Sequence, residues 1–197
     1  MPKQLSVDFV GGAVGHRHRF GGGRGQALPR AVGLVRGRNP NVIDATAGLG
    51  RDAFLLASLG ADVILIERSP DIHALLAAGM AKAREAGPDY AEIIGRMTLH
   101  LGDARTLLPT LAADVVLVDP MHPPRGNSAL VKQEMRLLRE IVGDDPDSLE
   151  LMQAALAAAR QRVVLKWPLR AEPMAGLPPP SHSILGKSTR YDVFMTG

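Results

Sequence analysis

"NVIDATAGLGRDAFLLASLGADVILIE" (residues 41–67) sets a strand, a glycine turn, a helix and a second strand end to end. "NVIDAT" is a short apolar run, as expected of a strand covered on both faces. "DAFLLASLG" carries apolar residues at helical spacing and stops at Gly60, and "ADVILIE" is again a buried strand. Outward from this unit the alternation continues. "SPDIHALLAAGMAKAREAG" has a capping serine, Pro70 at the first helical position and Gly87 as a stop. "MTLHL" and "DVVLVD" read as strands, "NSALVKQEMRLLREIV" as an amphipathic helix, "SLELMQAALAAARQ" as a helix feeding the strand "RVVLKW", and "RYDVFMT" as a closing strand. Such alternation implies right-handed crossovers and a parallel sheet with helices on both faces. Ligands of such sheets bind at the carboxyl ends of the strands, so the chemistry is to be sought there.

The chain has 197 residues, 46% of them hydrophobic and 22% charged, enough for one sizeable core. The absence of cysteine excludes disulfides and thiolate metal sites and fits a reducing cytosol; a cytoplasmic location without a membrane partner is expected. The net charge of +3 is unevenly spread. Residues 1–40 hold seven basic side chains against Asp8 alone, whereas the remainder holds 16 basic and 19 acidic ones. A basic segment (1–40) on a slightly acidic body (41–197) suggests a polyanionic partner, nucleic acid foremost; a solvated basic arm accounts for the charge equally well.

Four strand ends carry candidate chemistry. After Asp44, Gly48 and Gly50 let the backbone approach a ligand, and the helix N-terminus beginning near Arg51 favours negative charge. "GLGRDA" also fits the dinucleotide pattern G-x-G-x-x-A, which keeps a nicotinamide-dependent oxidoreductase, NAD(P) as cofactor, among the readings. Glu67 ends "VILIE" and can accept both hydroxyl hydrogens of a ribose, whether of NAD or of S-adenosylmethionine; paired with Arg68 it could also be a surface acid. Asp103 in "LHLGDA" can accept from an adenine amino group, with the small Ala104 leaving room for the ring. In "VVLVDPMHPPRG", Pro120 has no N–H and holds Asp119 extended, so the chain leaves the sheet with its carbonyls directed. Acceptors there suit an exocyclic NH2 group, whose lone pair they help to localise for attack, and alignment then matters more than strong base catalysis.

These residues stand in the order found in class I S-adenosylmethionine-dependent methyltransferases, with Thr46 where the first glycine of D-x-G-x-G-x-G often lies. More narrowly, "VDFVGGAVGHRHRFGGGRG", "DATAGLGRDAF", "ERSP", "DPMHP" and "SALVKQEMRLLREIVG" together resemble the small-subunit ribosomal RNA methyltransferase J family over nearly the whole chain. The resemblance implies a Rossmann-like α/β fold, mostly parallel, with helices on both faces and an antiparallel C-terminal strand. It implies methyl transfer from S-adenosylmethionine to N2 of a guanine in 16S rRNA, free or in the small subunit; a monomer without a metal is expected. The implied cofactor contacts are Asp44, Gly48, Gly50, Arg51, Asp52, Glu67, Arg68, Asp103, Ala104 and Asp119. Asp119, Pro120 and His122 form the active-site loop, and His122 stands where the family has a phenylalanine expected to stack on the flipped base; imidazole can also stack.

Other residues are open to two readings. His16 and His18 lack a third metal ligand and read as substrate contacts. Arg17, Arg19, Arg24 and Arg125 are candidates for RNA phosphates, as are Lys132, Arg136 and Arg139, unless the last three are a solvated helix face. Lys166 and Trp167 close "RVVLKW", where rim packing is the expected role of the indole. "HRHRFGGGRG" (16–25) lacks the Gly-Lys-Ser/Thr ending of a P-loop and is expected to fold over the carboxyl edge of the sheet as a substrate lid. A non-catalytic RNA-binding protein is the third reading, resting on the basic first forty residues.

Overall fold

A computed structural model of the chain describes residues 5–11, 23–120 and 147–197. In chain order its elements are α1 (Ala27–Ala31), β1 (Val42–Asp44), α2 (Arg51–Ser58), β2 (Val63–Glu67), α3 (Pro70–Glu85), α4 (Pro88–Gly95), β3 (Met97–Leu101), α5 (Ala104–Leu107), β4 (Ala113–Val118), α6 (Ser148–Ala158), β5 (Ala159–Pro168), β6 (His182–Leu185) and β7 (Thr189–Met195). The seven strands form one sheet in the order β3-β2-β1-β4-β5-β7-β6. The first five are parallel; β7 runs antiparallel to β5, and β6 antiparallel to β7. This is the Rossmann-like class I methyltransferase arrangement. The strand order reverses between β1 and β4, which opens a crevice at their carboxyl ends.

Strand periodicity divides the core into two layers. Val42, Leu65 and Leu117 point into one buried cluster with Phe54, Leu56, Leu76 and Ile94. Ile43, Ile66, Val116 and Val118 point into the other, with Met152, Ala155, Val163 and Trp167. Because successive side chains alternate between faces, a strand covered on both sides must be apolar throughout. Leu5, Val7, Phe9, Leu28 and Leu34 of the basic N-terminal stretch join the first cluster. Phe9 stacks on Phe54, with ring centroids 4.7 Å apart, and Val7 fits against Gly79 of α3, where a Cβ would lie 2.5 Å from Val7 Cγ1.

Local signals behave as their chemistry dictates. Ser69 caps α3 by accepting from the Ile72 N–H, with Pro70 at the first helical position. Gly60, past the end of α2, takes a φ of +97°. Three features differ from the sequence reading. The helix of "SLELMQAALAAARQ" ends at Ala158, and Ala159–Gln161 already belong to β5, where Gln161 accepts from the Thr196 N–H. The Pro-rich "LPPPSHS" leads into the edge strand β6, whose exposed His182, Ser183 and Leu185 give it no apolar alternation. Helices α1 and α4 are too short for a periodic signature. The helix expected in "NSALVKQEMRLLREIV" lies outside the described residues, as do Lys132, Arg136 and Arg139.

Candidate active site

The turn after β1 is shaped by two glycines for different reasons. Gly50 has φ +70°, and a Cβ there would lie 2.6 Å from Leu76 Cδ1 and 3.2 Å from Phe9 Cζ, so neither backbone nor packing admits a side chain. Gly48 has φ +51°, yet a Cβ there would meet nothing nearer than the Thr46 carbonyl at 3.9 Å. Its N–H donates to Glu67 Oε2 at 2.9 Å, while Glu67 Oε1 accepts from the Ser69 N–H at 2.8 Å. Glu67 is thus a buried carboxylate tied to the turn and to the start of α3, with acceptor capacity remaining for hydroxyl donors. An open cradle at Gly48 beside a fixed carboxylate fits the ribose end of S-adenosylmethionine.

Four ionisable side chains from four elements converge across the β1–β4–β5 edge. Asp44 is 3% exposed and accepts from the Thr46 N–H. Burial, reinforced by the charges of Asp52 and Asp119, pushes its carboxyl up to about 7. Asp119 is held twice: its backbone N–H donates to Thr46 Oγ1 at 2.7 Å, and its Oδ2 accepts from Lys166 Nζ at 2.8 Å. Lys166 Nζ also donates to Asp52 Oδ2 at 2.7 Å. Burial opposes the Lys166 charge, but Asp52 and Asp119 outweigh it and hold the ammonium well above the usual lysine range. The buried Tyr191 of β7 borders this group, and burial raises its phenol. Pro120 is buried, whereas the Asp119 side chain stays 40% exposed and therefore accessible to a substrate.

The far rim is an ion-pair network. Arg105 grips Asp103 through Nε and Nη2, Asp147 at 3.0 Å and Glu150 at 2.7 Å, and Arg68 pairs with Asp147 at 3.0 Å. Asp103 also caps α5 by accepting from the Arg105 N–H; the Arg105 guanidinium holds its carboxyl below the usual range. An adenine amino group approaching the Asp103 side chain has to compete with these bonds. Ala104 is buried beside it, and Arg51 is exposed at the first position of α2.

Arg24 has a structural role that the sequence does not reveal. Its Nη1 donates to the Val35 carbonyl at 2.5 Å, and its Nη2 to Asn39 Oδ1 and the Leu59 carbonyl at 2.8 Å each. Leu59 follows the last turn of α2, whose carbonyls lack intrahelical partners, so this guanidinium ties down the fold through three of its donors. His16, Arg17, His18, Arg19, His122 and Arg125 lie outside the described residues, and the expected lid over 16–25 is described only at its last three residues. Thr46 and Lys166 had no role in the sequence reading. The rule that selects Asp44, Glu67 and Asp119, a polar residue closing a buried strand, selects Lys166 as well. Among the described residues no group of three His, Cys, Asp or Glu side chains is placed to hold a metal ion, and no helix is long and apolar enough to cross a membrane.

The family model described as "Putative SAM-dependent methyltransferase" matches residues 1–196. The chain is 71% identical to the ribosomal RNA small subunit methyltransferase J of Brucella anthropi, over 98% of this chain and 94% of that protein. It is 69% identical to the protein of the same name from Agrobacterium fabrum, over 96% and 91% of the two. Among solved structures, a SAM-dependent methyltransferase from Neisseria gonorrhoeae superposes with a TM-score of 0.74 at 32% identity, covering all of this chain and 75% of that one.

Proposed function

The chain belongs to the ribosomal RNA small subunit methyltransferase J family of S-adenosylmethionine-dependent methyltransferases, and on that footing we propose that it methylates the exocyclic N2 of a guanine in 16S rRNA. The observation that carries this reading is the doubly held Asp119, fixed through its N–H by Thr46 and through Oδ2 by Lys166, beside the Gly48 cradle. Family membership makes S-adenosylmethionine the cofactor in place of the nicotinamide and non-catalytic readings, and this supports giving the Gly48 cradle to it.

The residues divide the work. Gly48 and Gly50 admit the cofactor against the backbone, Asp44, Arg51 and Asp52 flank that turn, Glu67 accepts ribose hydroxyl hydrogens with Arg68 next to it at the rim, and Asp103 and Ala104 border the adenine. The bound cofactor supplies a methyl group already activated on a sulfonium. Asp119 accepts a hydrogen of the guanine NH2, which localises the nitrogen lone pair, and takes the departing proton as the N–CH3 bond forms and the methyl's bond to sulfur breaks, its electron pair staying on the sulfur. Pro120 keeps Asp119 extended and its carbonyl directed at the same amine. His122 stacks on the target base, and Arg17, Arg19 and Arg125 hold phosphates, which position RNA without reading its sequence. In this reading residues 1–40 are a basic segment packed on the catalytic domain 41–197, and a monomer works in the cytoplasm on 16S rRNA or the small subunit.

The test is transfer of labelled methyl from S-adenosylmethionine to rRNA or small subunits lacking the modification, with the product nucleoside identified. The reading requires N2-methylguanine; label at another atom overturns it. Asp119→Ala should lower turnover by about 10²-fold or more while S-adenosylmethionine still binds. Unchanged turnover removes Asp119 from the mechanism.

A further inference from the structure

We propose that Lys166 is the positioning residue of this methyl transfer: its ammonium, clamped between Asp52 Oδ2 and Asp119 Oδ2, fixes the orientation and charge of the carboxylate that meets the target amine. The proposal rests on the role given to Asp119 above. Its basis is the placement of Lys166 by two ladders. Leu165 pairs with Val118 of β4, so Lys166 is level with Asp119 just beyond that strand, and on its other side Lys166 pairs with Tyr191 of β7. The lysine backbone is therefore paired to β7 and directly follows the last residue paired to β4, while Asp119 starts a loop. A side chain anchored in the middle of a sheet gives the loop carboxylate a fixed reference that its own backbone does not supply.

The charges around it explain why a cation is needed. Asp44 from β1, Asp52 from α2 and Asp119 just beyond β4 face one another, with the Tyr191 phenol from β7 alongside. Carboxylates this close resist joint ionisation unless an opposite charge lies between them. Lys166 supplies that charge with point-like geometry, and because Asp52 stands in the first turn after the Gly48–Gly50 loop, one ammonium couples the cofactor side of the site to the amine side.

The experiment compares wild type, Lys166→Met, Lys166→Gln and Lys166→Arg in S-adenosylmethionine binding by calorimetry and in the pH profile of kcat on modification-deficient small subunits. Positioning predicts that Lys166→Met lowers kcat by about 10²-fold, leaves cofactor Kd within about threefold, and moves the acid limb of the profile up by about 1–3 pH units, as loss of an adjacent opposite charge requires. Lys166→Gln keeps hydrogen-bond donors without charge and should show the same shift even if the methionine variant does not fold. Lys166→Arg should return the limb toward its wild-type position. A double-mutant cycle adds a second readout: in the Asp119→Asn background, Lys166→Gln should change the residual kcat little. An unmoved acid limb in Lys166→Gln, or full additivity in the cycle, overturns the proposal. Wild-type protein that binds S-adenosylmethionine but methylates no guanine N2 instead refutes the function proposed above, a result distinct from either.

Discussion

Replacing Asp44 by Asn isolates one term in the pH dependence of stability. Asp44 is almost fully buried, and its carboxyl is pushed from 3.8 up to about 7, chiefly by burial and then by the charge of Asp52. Below pH 3.8 the folded and unfolded states both hold the proton. Between that value and about 7 the folded protein keeps a proton that the unfolded chain has released, so stability is lost as pH rises through this window. At about 1.36 kcal/mol per unit the whole loss is about 4 kcal/mol, of which about 2–3 kcal/mol falls between roughly pH 5 and pH 8. Asn has nearly the same shape and no titration, so the variant lacks this limb, and whatever constant offset its amide introduces cancels in the comparison. Urea unfolding of wild type and Asp44→Asn at roughly pH 5, 6.5 and 8 measures the difference directly. We expect it to move in favour of the variant by about 2–3 kcal/mol across that range. A difference that stays constant with pH to within about 0.5 kcal/mol would show that Asp44 is ionised in the fold, and the reasoning from burial would fail.

Two further substitutions test the site and its support. Thr46→Val removes the acceptor of the Asp119 N–H and should cost about 1–3 kcal/mol of stability together with turnover, while Thr46→Ser retains both; equal behaviour of the two variants in unfolding and methyl transfer refutes the assigned role. Gly79→Ala would normally strengthen a helix by about 1 kcal/mol, but here the new methyl meets Val7 at 2.5 Å. A net loss of about 1–3 kcal/mol is expected, since the Val7 Cβ at 2.6 Å and carbonyl oxygen at 3.0 Å stand in the way as well, and a raised Tm in Gly79→Ala would show that residues 5–9 do not pack on α3.

The elements that carry the site were legible because burial imposes a pattern on sequence. Strands β1, β2 and β4 are covered on both faces, so they read as unbroken apolar runs, and the polar residue that ends each run marks the carboxyl edge: Asp44, Glu67 and Asp119. The glycines of the turn were legible for the same kind of reason, since φ values of +51° and +70° exclude most other residues. Edge strand β6 was not, because an exposed strand has no need of apolar alternation. Family resemblance added what periodicity cannot supply, the identity of the cofactor.

What the sequence determined by itself is therefore the order of elements and the positions at which chemistry is exposed. Only the tertiary structure decided which of those groups meet. Thr46 reaches Asp119 across 73 residues, and Lys166 reaches Asp52 across 114, because β1, β4 and β5 are adjacent in the sheet though far apart in the chain. It also decided that Arg24 ties down carbonyls near the end of α2 and that the Asp103 carboxylate is engaged by Arg105. A charge in a sequence announces only that it needs a partner. Which partner it finds depends on distances set by the packing of the whole sheet, and the Coulomb energy follows those distances and not the separation along the chain.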